Sequence, residues 1–74
     1  MAADIIIWKP RYNHTRQTYC IVIIAQSVQG RKWLQRNFVD SPASLNVDSR
    51  EEANRLIDDY IGDIGLADLT VEIS

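Results

Sequence analysis

The stretch QTYCIVIIAQS, residues 17–27, decides the fold of this chain. In an extended backbone, alternate side chains point to opposite faces of the sheet. One face would then carry Tyr19, Ile21, Ile23 and Ala25, and the other face Cys20, Val22 and Ile24. Because both faces are apolar, the pattern predicts a central strand with both faces at least partly covered.

Three further strands are predicted around this one. DIIIWK, residues 4–9, is rich in β-branched and aromatic side chains and ends at Pro10. RKWLQRNFV, residues 31–39, is predicted to be the return strand of a hairpin whose turn uses Gly30 at a positive φ. ADLTVEIS, residues 67–74, alternates apolar and polar side chains, which indicates a half-buried edge strand.

One helix is predicted between the third and fourth strands, after a loop at residues 40–47. Apolar side chains recur there at helical spacing and form one continuous stripe of Ala53, Leu56, Ile57, Tyr60, Ile61 and Ile64. Either Ser49 or Asp48 caps the start of this helix. Gly65 is predicted to follow its last residue, unless Gly62 ends the helix earlier.

These elements predict a single α+β domain that spans residues 1–74. Its small antiparallel sheet has the order β-β-β-α-β along the chain, and the amphipathic helix packs on one face of the sheet. Placing the last strand beside the first, and parallel to it, gives the spatial order 4-1-2-3.

Composition narrows the function classes. One cysteine and one histidine exclude an internal disulfide framework and a four-ligand zinc site. The chain is also small for an enzyme pocket, so we expect a non-enzyme with no catalytic, cofactor or metal site. The longest apolar run, residues 20–25, is far shorter than the roughly 20 residues of a membrane helix. A soluble protein of the cytoplasm with no membrane partner is therefore expected.

Charge is unevenly distributed along the chain. Residues 1–38 hold six cations against one acid (+5), and residues 39–74 hold nine acids against two arginines (−7). Cations with interleaved aromatics can neutralise phosphates and stack on bases, as nucleic-acid binding requires. The alternative is a strand with one solvated face, whose edge lysine prevents aggregation. The predicted basic face comprises Lys9, Arg11, Arg16, Arg31, Lys32, Trp33 and Arg36. In a regular strand, either Trp33 or Phe38 faces outward, because their odd separation puts them on opposite faces unless a bulge intervenes.

The predicted helix offers a second surface for a partner. Its acidic side chains flank the apolar stripe and comprise Glu51, Glu52, Asp58, Asp59 and Asp63. An acidic helix can dock on a basic protein surface, with complementary charge that speeds association. In addition, the exposed edge of the third or fourth strand offers a route to a homodimer.

A family resemblance is carried by the run GRKWL, the later phenylalanine and the run SREEANRLIDDY. In these residues the chain resembles the plant Apetala-two/ethylene-response DNA-binding domain and the related amino-terminal arm domains of integrases. The resemblance covers about residues 18–60 and implies a three-stranded antiparallel sheet on one helix, with the sheet in the major groove of DNA. The matching residues are Gly30, Arg31, Trp33, Leu34, Phe38, Glu51, Glu52, Ala53 and Tyr60.

Together these patterns predict a small binding protein that docks on a macromolecular partner, most simply a protein. An inhibitor or adaptor, of the phage or mobile-element type that acts on nucleic-acid-handling complexes, is the first interpretation. Direct nucleic-acid binding through the basic hairpin is the alternative, and a small structural subunit of a larger complex is the third.

Overall fold

The computed structural model describes residues 2–39 and 42–74, which form four strands and two helices. The elements in chain order are β1 (Ile5–Asn13), β2 (Thr18–Ala25), α1 (Val28–Asn37), β3 (Ala43–Val47), α2 (Arg50–Leu66) and β4 (Val71–Ile73). The predicted α+β class is confirmed. The order along the chain, however, is β-β-α-β-α-β, with two helices where one was expected.

The strands form one mixed sheet in the order β3-β2-β1-β4. β1 pairs antiparallel with β2, β2 pairs antiparallel with β3, and β4 lies parallel to β1. The predicted place of the last strand, beside the first and parallel to it, is therefore confirmed. The position beside β2 that was predicted for residues 31–39 is instead occupied by β3. Because β4 is parallel to its neighbour, the sheet is not purely antiparallel.

Both helices contribute to one hydrophobic core on a single side of the sheet. Its sheet residues alternate along each strand, so that every second side chain points at the helices. The buried core consists of Ile5, Ile7, Ile21, Ile23, Trp33, Leu34, Ala43, Val47, Ala53, Ile57 and Ile64. Within the part of the chain that the structure describes, no helix lies on the other face of β2, where Cys20, Val22 and Ile24 are half-buried.

The prediction of a return strand at residues 31–39 is wrong, because this segment forms α1. The Ser27 side chain caps the helix by accepting a hydrogen bond from the Gly30 N–H at 2.9 Å. The buried residues of α1 are Gly30, Trp33 and Leu34, at the i, i+3, i+4 spacing of a helix face. This helical pattern overrides the weak strand pattern, and no hairpin follows β2.

Gly30 does not form the predicted turn with a positive φ. All three glycines lie in the described part of the chain, and none of them has a positive φ. Gly30 is needed instead for close packing, since a Cβ atom there would collide with the backbone carbonyl oxygen of Asp4. The first turn of α1 therefore lies directly against the chain that enters β1.

The loop predicted at residues 40–47 contains β3, which pairs with β2. Ala43 and Val47 are buried and Leu45 between them is half-buried, so the strand has the period-2 pattern of a half-covered edge strand. Asp40 and Ser41, in the first part of that predicted loop, lie outside the described residues.

β1 does not end at Pro10 as predicted but continues to Asn13. The pairing with β2 shifts register between Trp8 and Arg11, where Lys9 and Pro10 together oppose Ile21. This is the arrangement of a β-bulge, one of the places where a strand tolerates proline.

α2 begins after one of the two residues that were predicted as its N-cap. Ser49 is the cap, and its side chain accepts a hydrogen bond from the Glu52 N–H at 3.1 Å. The helix runs through Gly62 and Gly65 to Leu66, so the predicted end at Gly65 is wrong. It closes with the paired hydrogen bonds of a Schellman motif, from Leu69 N–H to the Ile64 carbonyl and from Asp68 N–H to the Gly65 carbonyl.

Replacing Asp68 with glycine is expected to stabilise the protein by about 1 kcal/mol. Asp68 occupies the left-handed position after the helix, with φ 60. Glycine adopts this conformation without steric cost, and the change also removes an anion from the negative end of the helix dipole. Urea unfolding of Asp68→Gly beside Asp68→Asn separates these two contributions, because asparagine removes the charge but keeps the side chain. An unfolding free energy for Asp68→Gly at or below that of wild type would contradict this account.

A polar clasp joins the start of β1 to the start of β4. The Asp4 carboxylate accepts hydrogen bonds from the Thr70 N–H at 2.9 Å and from the Thr70 hydroxyl at 3.2 Å. The hydrogen bond from the Thr70 backbone, followed by one from the Ser27 side chain, lowers the pKa of Asp4 below its usual 3.8. The ionised carboxylate is thus the form that holds these two ends together.

We expect Asp4→Asn to destabilise the protein at neutral pH, with an effect that disappears in acid. A lowered pKa in the folded state means that the contribution of Asp4 is present above pH 3.8 and is lost as the pH falls through the lower folded value. Urea midpoints of wild type and Asp4→Asn should therefore differ at about pH 7 and converge near pH 2. A difference that stays constant over this range would show that the carboxylate charge is irrelevant to the clasp.

Candidate docking surface

The predicted basic residues do not share one surface. Arg31, Lys32 and Arg36 are exposed on α1, which covers the helix side of the sheet. Arg11 lies on the opposite side of the sheet, with its guanidinium carbon 5.1 Å from the ring centre of Trp8. Lys9 is exposed in the bulge of β1, and Arg16 is exposed in the turn between β1 and β2. The structure thus divides the predicted basic face between two opposite layers.

Trp33 belongs to the core and not to a contact surface, with 4% of its area exposed. Its indole N–H donates a hydrogen bond to Asp63 Oδ2 at 2.8 Å, which ties α1 to α2. Phe38 is half-buried, with its ring centre 6.2 Å from that of Trp33. The expectation that one of these two aromatics faces outward is wrong, because the strand geometry behind it does not apply to a helix.

Tyr60 completes the aromatic cluster, with ring centres 6.3 Å from Trp33 and 5.5 Å from Phe38. Burial, and to a smaller extent the charge of Asp59, raises the pKa of the Tyr60 phenol above 10.0. The phenol is therefore neutral at physiological pH. This cluster joins the two helices and gives the helix layer a fixed arrangement.

The predicted acidic residues remain on the outer side of α2. Glu51, Asp58, Asp59 and Asp63 are exposed, and Glu52 is half-buried. Asp63 is engaged within the molecule through Trp33, and it lines a shallow depression together with Arg36 of α1. Asp63 is thus exposed to solvent and also takes part in the contact between α1 and α2.

The sheet face away from the helices is the surface that the sequence prediction did not single out. We call it the open face. Strand alternation and register assign to it Ile6, Trp8, Arg11, Thr18, Cys20, Val22, Ile24, Ser44, Asn46 and Glu72. Its centre is apolar. Trp8 of β1 lies opposite Val22 of β2, and the adjacent pair on the same face is Ile6 with Ile24.

Polar side chains surround this apolar centre. Thr18 donates a hydrogen bond to Asn46 at 3.2 Å, and the Cys20 sulfur lies 3.4 Å from the Ser44 hydroxyl oxygen. Trp8 is 37% exposed although its ring is flanked by Arg11. The arrangement of an apolar centre with a polar rim is typical of a protein-protein contact surface.

A signal for the open face was present in the sequence. Both faces of residues 17–27 are apolar, whereas one side of the sheet has the two helices. A second apolar face on the central strand indicates a second covering layer. The alternation predicts cover on both faces of this strand, but it does not say which face the helices of the same chain occupy.

Within residues 2–39 and 42–74, no group of three or more His, Cys, Asp or Glu side chains is placed to hold a metal ion. No helix in those ranges is long and apolar enough to cross a membrane.

The similarity to Apetala-two and integrase arm domains does not extend to the fold, since the run GRKWL that carries it lies in α1 and not in a strand. Comparison with known proteins gives no assignment either: no protein-family model, curated protein or solved structure matches this chain.

Proposed function

We propose that this chain is a non-enzymatic binding protein that docks on a protein partner through the open face of its sheet. The role of an inhibitor, an adaptor or a subunit of a larger complex fits this proposal equally, since each needs a surface that is buried in a complex. The apolar centre of the open face is the observation that carries it.

An antiparallel sheet with one face in water normally alternates apolar and polar side chains. Here the water-facing positions in the middle of β1 and β2 are Ile6, Trp8, Val22 and Ile24. Contiguous apolar side chains with a polar rim mark interaction surfaces on soluble proteins. Burial of such side chains in a complex stabilises it by about 25 cal/mol for each Å2 of apolar area removed from water.

The charge of the open face favours a protein over a nucleic acid. Among its described side chains, Arg11 supplies the cation and Glu72 the anion, so the face is close to neutral. Nucleic-acid binding depends on several cations that neutralise phosphates. The three cations of α1 lie in the opposite layer, where they cannot act together with Trp8.

The test compares two variants that each replace an apolar side chain with lysine. Val22→Lys puts a charge at the centre of the open face, whereas Leu66→Lys changes a residue of α2 that is 88% exposed. We expect the tagged Val22→Lys protein to lose the partners that wild type and Leu66→Lys retain in co-purification. Circular dichroism of all three proteins checks that the fold is unchanged.

If Val22→Lys retains every complex of the wild-type protein, the open face is not the docking surface and the proposal fails. Binding of labelled DNA or RNA that falls steeply with salt, and that is lost when Arg31, Lys32 and Arg36 become alanine, would instead favour the nucleic-acid alternative through α1.

A further inference from the structure

We infer that the partner seated on the open face is a second copy of this chain, packed sheet against sheet about a two-fold axis that runs across the strands. This inference rests on the proposed docking surface and names its occupant. It follows from the order of charges along the open face and from the requirement that a two-fold interface be complementary to itself.

The open face is arranged in rows across the strands. The first row has Glu72, Ile6 and Ile24, the second row has Trp8, Val22 and Ser44, and the third row has Arg11, Cys20 and Asn46. The anion thus lies at one end of the apolar centre and the cation at the other end. The row between them is neutral.

A two-fold axis across the strands at the level of Trp8 reverses the order of the rows in the second copy. The first row of each copy then lies over the third row of the other, at the sheet separation of about 10 Å. β1 packs on β1 of the second copy, so Glu72 lies one strand, or about 4.8 Å sideways, from the Arg11 position across the interface. A long arginine side chain spans that offset, and the contact occurs twice.

The two charges cannot meet within one chain. Glu72 is paired in register with Ile6, and Arg11 lies two rows further along β1. Two rows of about 6.6 Å give roughly 13 Å along the strands, beyond the reach of an ion pair. A neutral partner with no charges would leave both ends unmatched, whereas a second copy supplies each charge with its opposite.

The size of the open face sets the strength of this dimer. Four strands at about 4.8 Å and three to four rows at about 6.6 Å give a flat footprint of about 400 Å2 on each copy. Stable interfaces bury about 800 Å2 on each partner, and smaller ones belong to weak or transient complexes. We therefore expect a dissociation constant between about 1 µM and 1 mM.

Sedimentation equilibrium over this concentration range tests the inference through a charge-swap cycle. Arg11→Glu and Glu72→Arg each create like-charge contacts across the axis, and each should raise the dissociation constant by about tenfold or more. The double variant Arg11→Glu with Glu72→Arg restores opposite charges and should recover dimerisation. Recovery distinguishes a contact between copies from a loss of folding, because the two positions are too far apart to compensate within one chain.

Two further measurements place the interface. Val22→Lys should abolish self-association, and Leu66→Lys should leave it unchanged. Cys20 in the third row lies over the Ile24 row of the second copy, so its alkylation by iodoacetamide should slow as the wild-type concentration rises and stay constant in Val22→Lys.

Each contrary result has a distinct meaning. A wild-type protein that is monomeric at about 1 mM overturns the inference, and a loss of other partners in Val22→Lys would then still support the proposed docking surface. A dimer that survives Val22→Lys with unchanged affinity uses another surface, such as the edge of β3 or β4, and overturns the inference. A dimer lost in Val22→Lys but insensitive to the charge swaps overturns the two-fold arrangement.

Discussion

Gly30→Ala is expected to destabilise the protein by about 1–3 kcal/mol, although alanine is the better helix former. In a helix interior, alanine is preferred over glycine by about 1 kcal/mol. At this position the added Cβ would collide with the carbonyl oxygen of Asp4 and lie 3.1 Å from both the Asp4 carbonyl carbon and the Ser27 hydroxyl. Backbone atoms cannot rotate away, so α1 must shift relative to β1, and the packing loss exceeds the gain in helix propensity.

The chain contains matched controls for this prediction in α2. Gly62 and Gly65 also lie inside a helix, and nothing lies within 4 Å of a Cβ added at either position. Gly62→Ala and Gly65→Ala should therefore stabilise the protein by up to about 1 kcal/mol each. Urea unfolding should give a lower free energy of unfolding than wild type for Gly30→Ala and a higher one for each of the two α2 variants. An increase for Gly30→Ala would mean that α1 does not approach Asp4 as closely as described.

Trp33→Ala is expected to have the largest effect of any single substitution considered, a loss of about 3–5 kcal/mol. It removes the largest side chain of the core, empties the space beside Phe38 and Tyr60, and leaves Asp63 without the indole donor. A single core in a domain of about this size rarely supplies more than about 3–5 kcal/mol of stability, so much of the variant will be unfolded.

The second tryptophan of the chain is the control for the first. Trp8→Ala removes an identical side chain from the open face, where 37% of it is exposed, and should cost about 1 kcal/mol in the monomer. Urea unfolding followed by far-ultraviolet circular dichroism compares both variants at concentrations where the monomer dominates. Equal losses for the two would contradict the assignment of Trp33 to the core and Trp8 to the surface.

Trp33→Phe separates the hydrogen bond from the packing. It keeps an aromatic ring but removes the N–H that donates to Asp63, so we expect a loss well below that of Trp33→Ala. A double-mutant cycle with Asp63→Ala measures the coupling between the two side chains. Coupling near zero would show that the 2.8 Å contact contributes nothing to holding the helices together.

The sequence correctly predicts the elements in which apolar side chains recur with a clear period. The alternation in residues 17–27 and the apolar stripe from Ala53 to Ile64 each depend on five or more side chains, and both elements exist. The fourth strand and its place beside the first follow from the need to cover and extend a short sheet. These features suffice for the α+β class and for the place of the last strand beside the first.

The segment 28–39 misleads because its helical pattern rests on three residues. Gly30 is read as a turn residue, yet it is the first member of the buried set that continues with Trp33 and Leu34. Ser27 three residues before Gly30 has the spacing of a cap and was the available signal. Once this segment is taken as a strand, the short alternation of Ala43, Leu45 and Val47 has no place left in the sheet.

The candidate site depends on information that the sequence pattern lacks. Which face of β2 the helices cover is decided by the path of the chain after Ala25, where α1 turns back over one side. The predicted basic face requires residues 31–39 to form a strand of the sheet, so it is lost when this segment folds into α1. The alternation in residues 17–27 predicts that the open face is apolar. That this face has no helix over it within the described residues follows from the topology.

The parallel pairing of β1 with β4 also determines how the molecule responds to tension. Its hydrogen bonds include Ile5 N–H to the Thr70 carbonyl, Ser74 N–H to the Ile7 carbonyl and Lys9 N–H to the Ser74 carbonyl. A force that pulls the first residue of β1 away from the last residue of β4 acts along both strands in opposite directions. These hydrogen bonds are then loaded together in shear and must break together, whereas an antiparallel pair pulled at one end would open one bond at a time. The three residue pairs between β1 and β4 thus resist forces that pull the first strand and the last strand of the fold apart along their length.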